Sequence, residues 1–135
     1  MKRELKCILL VDDDQYDNFF HEREIKKNHS ELKVISLDMA TDAIDYLRAH
    51  TTDDFVKPDL IFLDINMPCM NGWEFLELFV QLDESVKLNT KIVMLSTSNY
   101  VMDLERAKKF DFVSDYCTKP LTTEVLEEVI KKHFY

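Results

Sequence analysis

Short runs of consecutive apolar residues alternate along the chain with longer stretches whose apolar positions recur every three or four residues. Residues 6–11, "KCILLV", carry apolar side chains on both faces, the pattern of a strand buried in a parallel sheet. Residues 14–28 predict a helix capped by Asp14, with Tyr16, Phe19, Phe20 and Arg23 along its mostly apolar face. A second strand follows at 32–39, then a helix at 41–50 with Thr41 as N-cap and Ile44 and Leu47 inward. A polar loop, 51–58, closes at Pro58. The third strand is 59–64, and a helix over 72–84 spaces Phe75, Leu76, Phe79 and Leu82 for burial. Residues 85–90 read as a connector and 91–96 as the fourth strand. The fourth helix, 101–110, has Val101, Leu104 and Ala107 facing inward. A weaker fifth strand, 112–118, precedes a fifth helix over 122–134. That helix opens with Thr and Glu and closes with Lys131, Lys132 and His133, matching its dipole at both ends.

Five strand–helix units in strict alternation imply an α/β fold: a doubly wound, five-stranded parallel sheet with helices on both faces. The common order for five such strands is 2-1-3-4-5. The 135 residues suit one domain over 1–135 with no attached output domain.

Charge narrows the function. Twenty-six acidic against seventeen basic residues give a net charge of −9. That argues against a direct nucleic-acid surface, which needs clustered Lys and Arg, and suits a cation or a basic partner. No apolar run is long enough to span a bilayer, and the apolar stretch near the N-terminus is too short for a signal peptide. The expected location is the cytoplasm, without membrane contact. Cys7, Cys69 and Cys117 lack CxxC spacing and read as reduced, mostly buried thiols. His21, His29, His50 and His133 have no ligand spacing and read as surface or capping residues. Trp73, Met67 and Met70 read as packing residues.

The chemistry sits at the strand ends. "CILLVDDD" ends strand 1 in Asp12, Asp13 and Asp14, and "IFLDINMPCMNG" ends strand 3 in Asp64, followed by a proline turn and the chain's only glycine, Gly72. In the expected order strands 1 and 3 are neighbours, about 4.8 Å apart, and ligands bind beyond their carboxyl ends. Asp12, Asp13 and Asp64 can then share one crevice. Their repulsion is offset by a divalent cation, and hard oxygen donors without His or Cys suit Mg2+. The alternative is that the acidic triplet is only the solvated cap of the first helix. Strand 4 ends in Ser96, a hydroxyl, and strand 5 is followed by Lys119 and Pro120. Lys119 starts roughly 10 Å from Asp64 by sheet spacing, a gap its stem largely covers. Acids, a hydroxyl and an ammonium around one carboxylate fit phosphoryl transfer to Asp64.

These residues closely resemble the receiver domain of two-component response regulators, over essentially the whole chain. The resemblance rests on "LLVDDD", "FLDINMPCMNG", "VMLSTS" and "YCTKP" in order. It implies a flavodoxin-like fold of the stand-alone, single-domain type. It implies that Asp64 accepts phosphate from a histidine kinase or histidine phosphotransfer protein. It also implies that Asp13 ligates Mg2+ directly, Asp12 mainly through water, and Asn66 through its backbone carbonyl. Lys119 is expected to pair with Asp64 or its phosphate, aimed by a cis bond to Pro120. Ser96 and Tyr116 are the expected switch, with Tyr116 as an ordinary strand aromatic the alternative. The reporting face is the fourth helix, fifth strand and fifth helix, with Arg106, Lys108, Lys109, Asp111 and Asp115, presented to a downstream protein target. Thr97, Val113 and Ser114 depart from the common family pattern.

The expected activity is confined to the protein's own phosphorylation and dephosphorylation. An Asp-nucleophile phosphatase is the enzymatic alternative, but such enzymes usually place an acid two residues after the nucleophile, where this chain has Asn66. A constitutive interaction module with a vestigial site is a third reading. A flavin-binding sheet protein lacks its Ser/Thr/Gly-rich phosphate loop after strand 1.

Overall fold

The structure is a computed structural model and describes residues 4–97 and 105–134. Apolar runs form five strands: β1 (Cys7–Val11), β2 (Lys33–Leu37), β3 (Leu60–Leu63), β4 (Lys91–Ser96) and β5 (Val113–Thr118). All pair in parallel in the order β2-β1-β3-β4-β5, the doubly wound arrangement expected from the sequence. Helices α1 (Gln15–Asn28), α2 (Ala40–Arg48), α3 (Gly72–Phe79), α4 (Glu84–Lys87) and α5 (Thr123–His133) fill the connections. Residues 105–107 are also helical.

Side-chain alternation along the strands splits the core in two. Leu9, Val11, Ile61, Leu63, Ile92 and Met94 face α2 and α3. Ile8, Leu10, Leu60, Phe62, Val93 and Leu95 face Ile25 of α1 and Leu126, Val129 and Ile130 of α5. β1 and β3 are buried throughout, which is why they read as continuous apolar runs. Truncating any of these residues to Ala costs about 2–5 kcal/mol.

Several expectations need correction. The aromatic face of α1 does not pack inward: Tyr16 is 86% and Phe19 69% exposed, and Phe20 is exposed as well. The buried stripe is Asn18, His21 and Ile25. The reason is polar: Asn18 Nδ2 donates to the Asp12 carbonyl at 2.8 Å, which fixes the helix rotation and carries the aromatics outward. His21 is therefore buried rather than a surface residue, and burial lowers its pKa to about 4. α2 starts one residue early, with Met39 as N-cap and no side-chain cap bond, so Thr41 is not the cap. α3 ends at Phe79 instead of 84, because Asp83 caps α4 through Ser85 N at 2.9 Å and starts a new turn in the presumed connector. β2 and β3 are shorter than expected at both ends.

The fourth predicted helix, with Val101 and Leu104, lies mostly outside the described residues; Ala107 is buried. β4 and β5 shift register between Ile92↔Val113 and Val93↔Asp115, which leaves Ser114 as the extra residue of a bulge. Among the cysteines only Cys7 is fully buried; Cys117 is half-buried and Cys69 exposed, and all three are free.

Candidate functional site

The carboxyl ends of β1 and β3 are held side by side by the Asp64 N–H, which donates to the Val11 carbonyl at 2.9 Å. Asp12 follows β1 and Asp64 follows β3, both buried, while Asp13 is exposed. One carboxylate oxygen from each of Asp12, Asp13 and Asp64 lies within 4.8 Å of the others. This is the only such group of potential ligands among the described residues.

Local turns fix each acid. Asp12 Oδ1 accepts from Asp14 N at 2.9 Å, and Asp14 Oδ1 accepts from Tyr16 N and Asp17 N, capping α1. The acidic triplet is thus both a helix cap and part of a nest: Asp14 does the capping, while Asp12 and Asp13 face Asp64. After β3 the chain turns back through Gly72, whose N–H donates to the Ile65 carbonyl at 2.8 Å. α3 then begins with a capping box between Asn71 and Glu74. Asn66 is exposed in this turn, and Met67 and Met70 pack locally against the core.

Ser96 is fully buried at the end of β4. The Lys119 N–H donates to the Ser96 carbonyl at 2.7 Å, which ties the root of the lysine to that strand end, and the Lys119–Pro120 peptide is cis. The ammonium reaches across the sheet end. It stands 2.5 Å from Asp12 Oδ2, 2.9 Å from Asp17 Oδ2 and 3.6 Å from Asp64 Oδ1. The expected Lys119–Asp64 pair is therefore the longest of three contacts. Asp12 and Asp17 draw the ammonium toward α1. Asp17 was missed in the sequence; its available signal was its place in the first turn of α1, beside the acidic strand end.

Electrostatics follow from this crowding. Burial pushes the Asp64 carboxyl up to about 7, the Asp12 charge adds to the rise, and Lys119 opposes it. Burial also raises Asp12, against the hydrogen bond from Lys119. Burial works against the Lys119 ammonium, but its hydrogen bonds to Asp12 and Asp17 outweigh that and hold its pKa above the ordinary range. A site with three carboxylates and one ammonium is short of positive charge, and its all-oxygen donor set fits a hard divalent cation.

The family profile "Response regulator receiver domain" matches residues 8–131. The chain belongs to this family. The receiver domain is 30% identical over 126 residues to the "Probable methanogenesis regulatory protein FilR2" of Methanothrix harundinacea, covering 93% of this chain and 79% of that one. It is 35% identical over 103 residues to "Protein PilG" of Pseudomonas aeruginosa, covering 76% and 73%. Among solved structures it is similar to a two-component response regulator from Cytophaga hutchinsonii, with a TM-score of 0.85, 33% identity, and coverage of 96% of this chain and 97% of that one.

Away from the nest, the receiver domain places Tyr116 half-buried on β5. With Ala107, Lys108, Val113, Ser114 and Asp115 it lines a cavity of about 250 Å³. Asp115 is tied to α5 by Lys132 at 3.4 Å and His133 at 3.3 Å. Trp73 is buried, stacked against Phe110 with the Arg106 guanidinium 4.6 Å above its ring. Thr97 is exposed beside Ser96. No helix among the described residues is long and apolar enough to cross a membrane.

Proposed function

We propose that this receiver domain is a phospho-acceptor of two-component or phosphorelay signalling, with Asp64 as the acceptor. The observation that carries this reading is the position of Asp64: a buried carboxylate at the end of β3, inside a three-carboxylate nest and 3.6 Å from an ammonium.

The donor is a phosphohistidine of a histidine kinase or phosphotransfer protein. An Asp64 oxygen attacks phosphorus, the new O–P bond forms, and the P–N bond breaks. Its electron pair goes to the imidazole nitrogen, which takes up a proton as it leaves. Asp12, Asp13 and Asp64, with the Asn66 carbonyl, would hold Mg2+. When bound, the ion neutralises negative charge on the transferred group. Lys119 pairs with the phosphoryl oxygens from the β5 side, and the Ser96 hydroxyl donates to one of them. The chain acts on no outside substrate and catalyses only its own phosphorylation and dephosphorylation.

The signal is a population shift between two packings. Ser96 follows the phosphoryl group, Tyr116 turns inward, and the face formed by residues 105–110, β5 and α5 changes for a downstream protein. The cavity beside Tyr116 supports this, since it gives the ring room to move. Net charge of −9 supports a protein rather than a nucleic-acid target. Three free cysteines support a cytoplasmic setting.

Incubation with acetyl phosphate and Mg2+, read by intact mass, tests the proposal. Wild type gains one phosphoryl group and Asp64→Asn gains none while keeping its fold. No gain in wild type favours the vestigial-module reading, and normal labelling of Asp64→Asn moves the acceptor elsewhere.

A further inference from the structure

The ammonium of Lys119 is shared unequally. Its root is pinned by the bond to the Ser96 carbonyl, and its tip passes Asp64 to reach Asp12 and Asp17. Asp17 is held in place by its own backbone, since its N–H donates to the Asp14 cap at 3.2 Å. Its side chain is 38% exposed, and Lys119 is its ion-pair partner among the described residues. Asp12 belongs to the three-carboxylate nest and Asp17 does not. Of the three carboxylates nearest the ammonium, Asp17 alone lies outside the nest and would not be shared with a cation held there.

We infer that Asp17 is a positioning residue that competes with the phosphoryl group on Asp64 for the Lys119 ammonium. The inference rests on the phospho-acceptor reading and deepens it. In the unphosphorylated protein Asp17 holds the ammonium on the α1 side of the site. Phosphoryl oxygens gain Lys119 only by drawing it off Asp17. Asp17 therefore sets how tightly the site holds a phosphoryl group, without touching that group itself.

Beryllofluoride, a phosphoryl mimic, provides the test, with binding measured by calorimetry in the presence of Mg2+. Asp17→Asn should bind it about two- to fivefold more tightly than wild type, the range set by one partly exposed ion pair. Asp17→Glu, which restores the competing charge, should return affinity toward wild type. Asp38→Asn removes an acid outside the site and should change nothing. Unchanged or weaker binding by Asp17→Asn, or an equal gain in Asp38→Asn, overturns the inference. A purely structural role for Asp17 would lower the melting temperature and leave mimic affinity alone. In metal-free protein, melting temperatures of Asp17→Asn, Lys119→Gln and the double variant should be non-additive; additivity also overturns it. Wild type that binds no mimic at all removes the phospho-acceptor reading, and this inference with it. Wild-type binding with no Asp17→Asn effect removes this inference alone.

Discussion

Gly72 stands against the backbone of Asp64. A Cβ on Gly72 would lie 2.7 Å from the Asp64 carbonyl oxygen and 2.9 Å from the Ile65 Cα. The glycine is needed for close approach and not for an unusual backbone angle, since no glycine has positive φ. Gly72→Ala should therefore push the turn away from β3. A destabilisation of about 1–3 kcal/mol is expected from the overlap. Because the carbonyl that must shift belongs to Asp64 itself, the rate of acetyl phosphate labelling should fall too. Urea unfolding and timed intact mass measure the two effects, and a fully stable, fully active Gly72→Ala would contradict the geometry.

The nest should respond to cation alone. Mg2+ should raise the melting temperature of wild type, because binding at the folded site would relieve repulsion among Asp12, Asp13 and Asp64. At a hundredfold excess over Kd the gain is about 2.7 kcal/mol. Asp13→Ala should show much less of that shift. Equal shifts in both proteins would place the ion elsewhere.

Two buried groups give the metal-free protein opposite pH responses. Asp64 titrates at about 7 in the fold against an ordinary 3.8, so its contribution to stability is fully present below 3.8 and lost as pH rises through about 7. Asp64→Asn should be more stable than wild type above that range, by about 1–4 kcal/mol, with the gain vanishing in acid. His21 is lowered from 6.5 to about 4, so its contribution is present above 6.5 and lost as pH falls through about 4. His21→Gln should flatten that acid limb, by at most about 3 kcal/mol. Melting curves across pH for the three proteins check both signs.

Tyr16 and Phe19 lie exposed in the first two turns of α1, two and five residues after the cap at Asp14. Tyr16 and Phe19 leave more apolar surface in water than packing of this chain requires. Replacing both with Ala should leave acetyl phosphate labelling and stability nearly unchanged. Transfer from a phosphorylated histidine kinase active on wild type should slow at least several-fold, as expected when central aromatic contacts are lost. Equal transfer rates would show that the donor docks without them.

Much of this was legible in the sequence because buried parallel strands leave an unmistakable trace. β1, β3 and β4 are near-continuous apolar runs, and in a doubly wound sheet their carboxyl ends must converge. That places Asp12, Asp64, Ser96 and Lys119 together before any coordinates are known. α1 was misread for a physical reason. Apolarity pointed Phe19 and Phe20 inward, but the helix rotation is set by Asn18 bonding the Asp12 carbonyl. A pattern of apolar residues carries no trace of a single buried amide. Asp17 escaped for a related reason: its role depends on where the Lys119 ammonium ends, and a flexible four-carbon stem leaves that undecided in sequence. The end of α3 was misplaced because Asp83 favours capping a new turn over continuing the old helix.

Trp73 is the chain's single tryptophan; it follows the loop after Asp64 in the sequence, and the guanidinium of Arg106 stands over its ring. The protein thus carries an intrinsic optical gauge beside Arg106, in the segment proposed to relay the signal. Any rearrangement of residues 105–107 alters the charge above the indole, so a change in emission wavelength reports it from one known position, without a dye or an engineered probe.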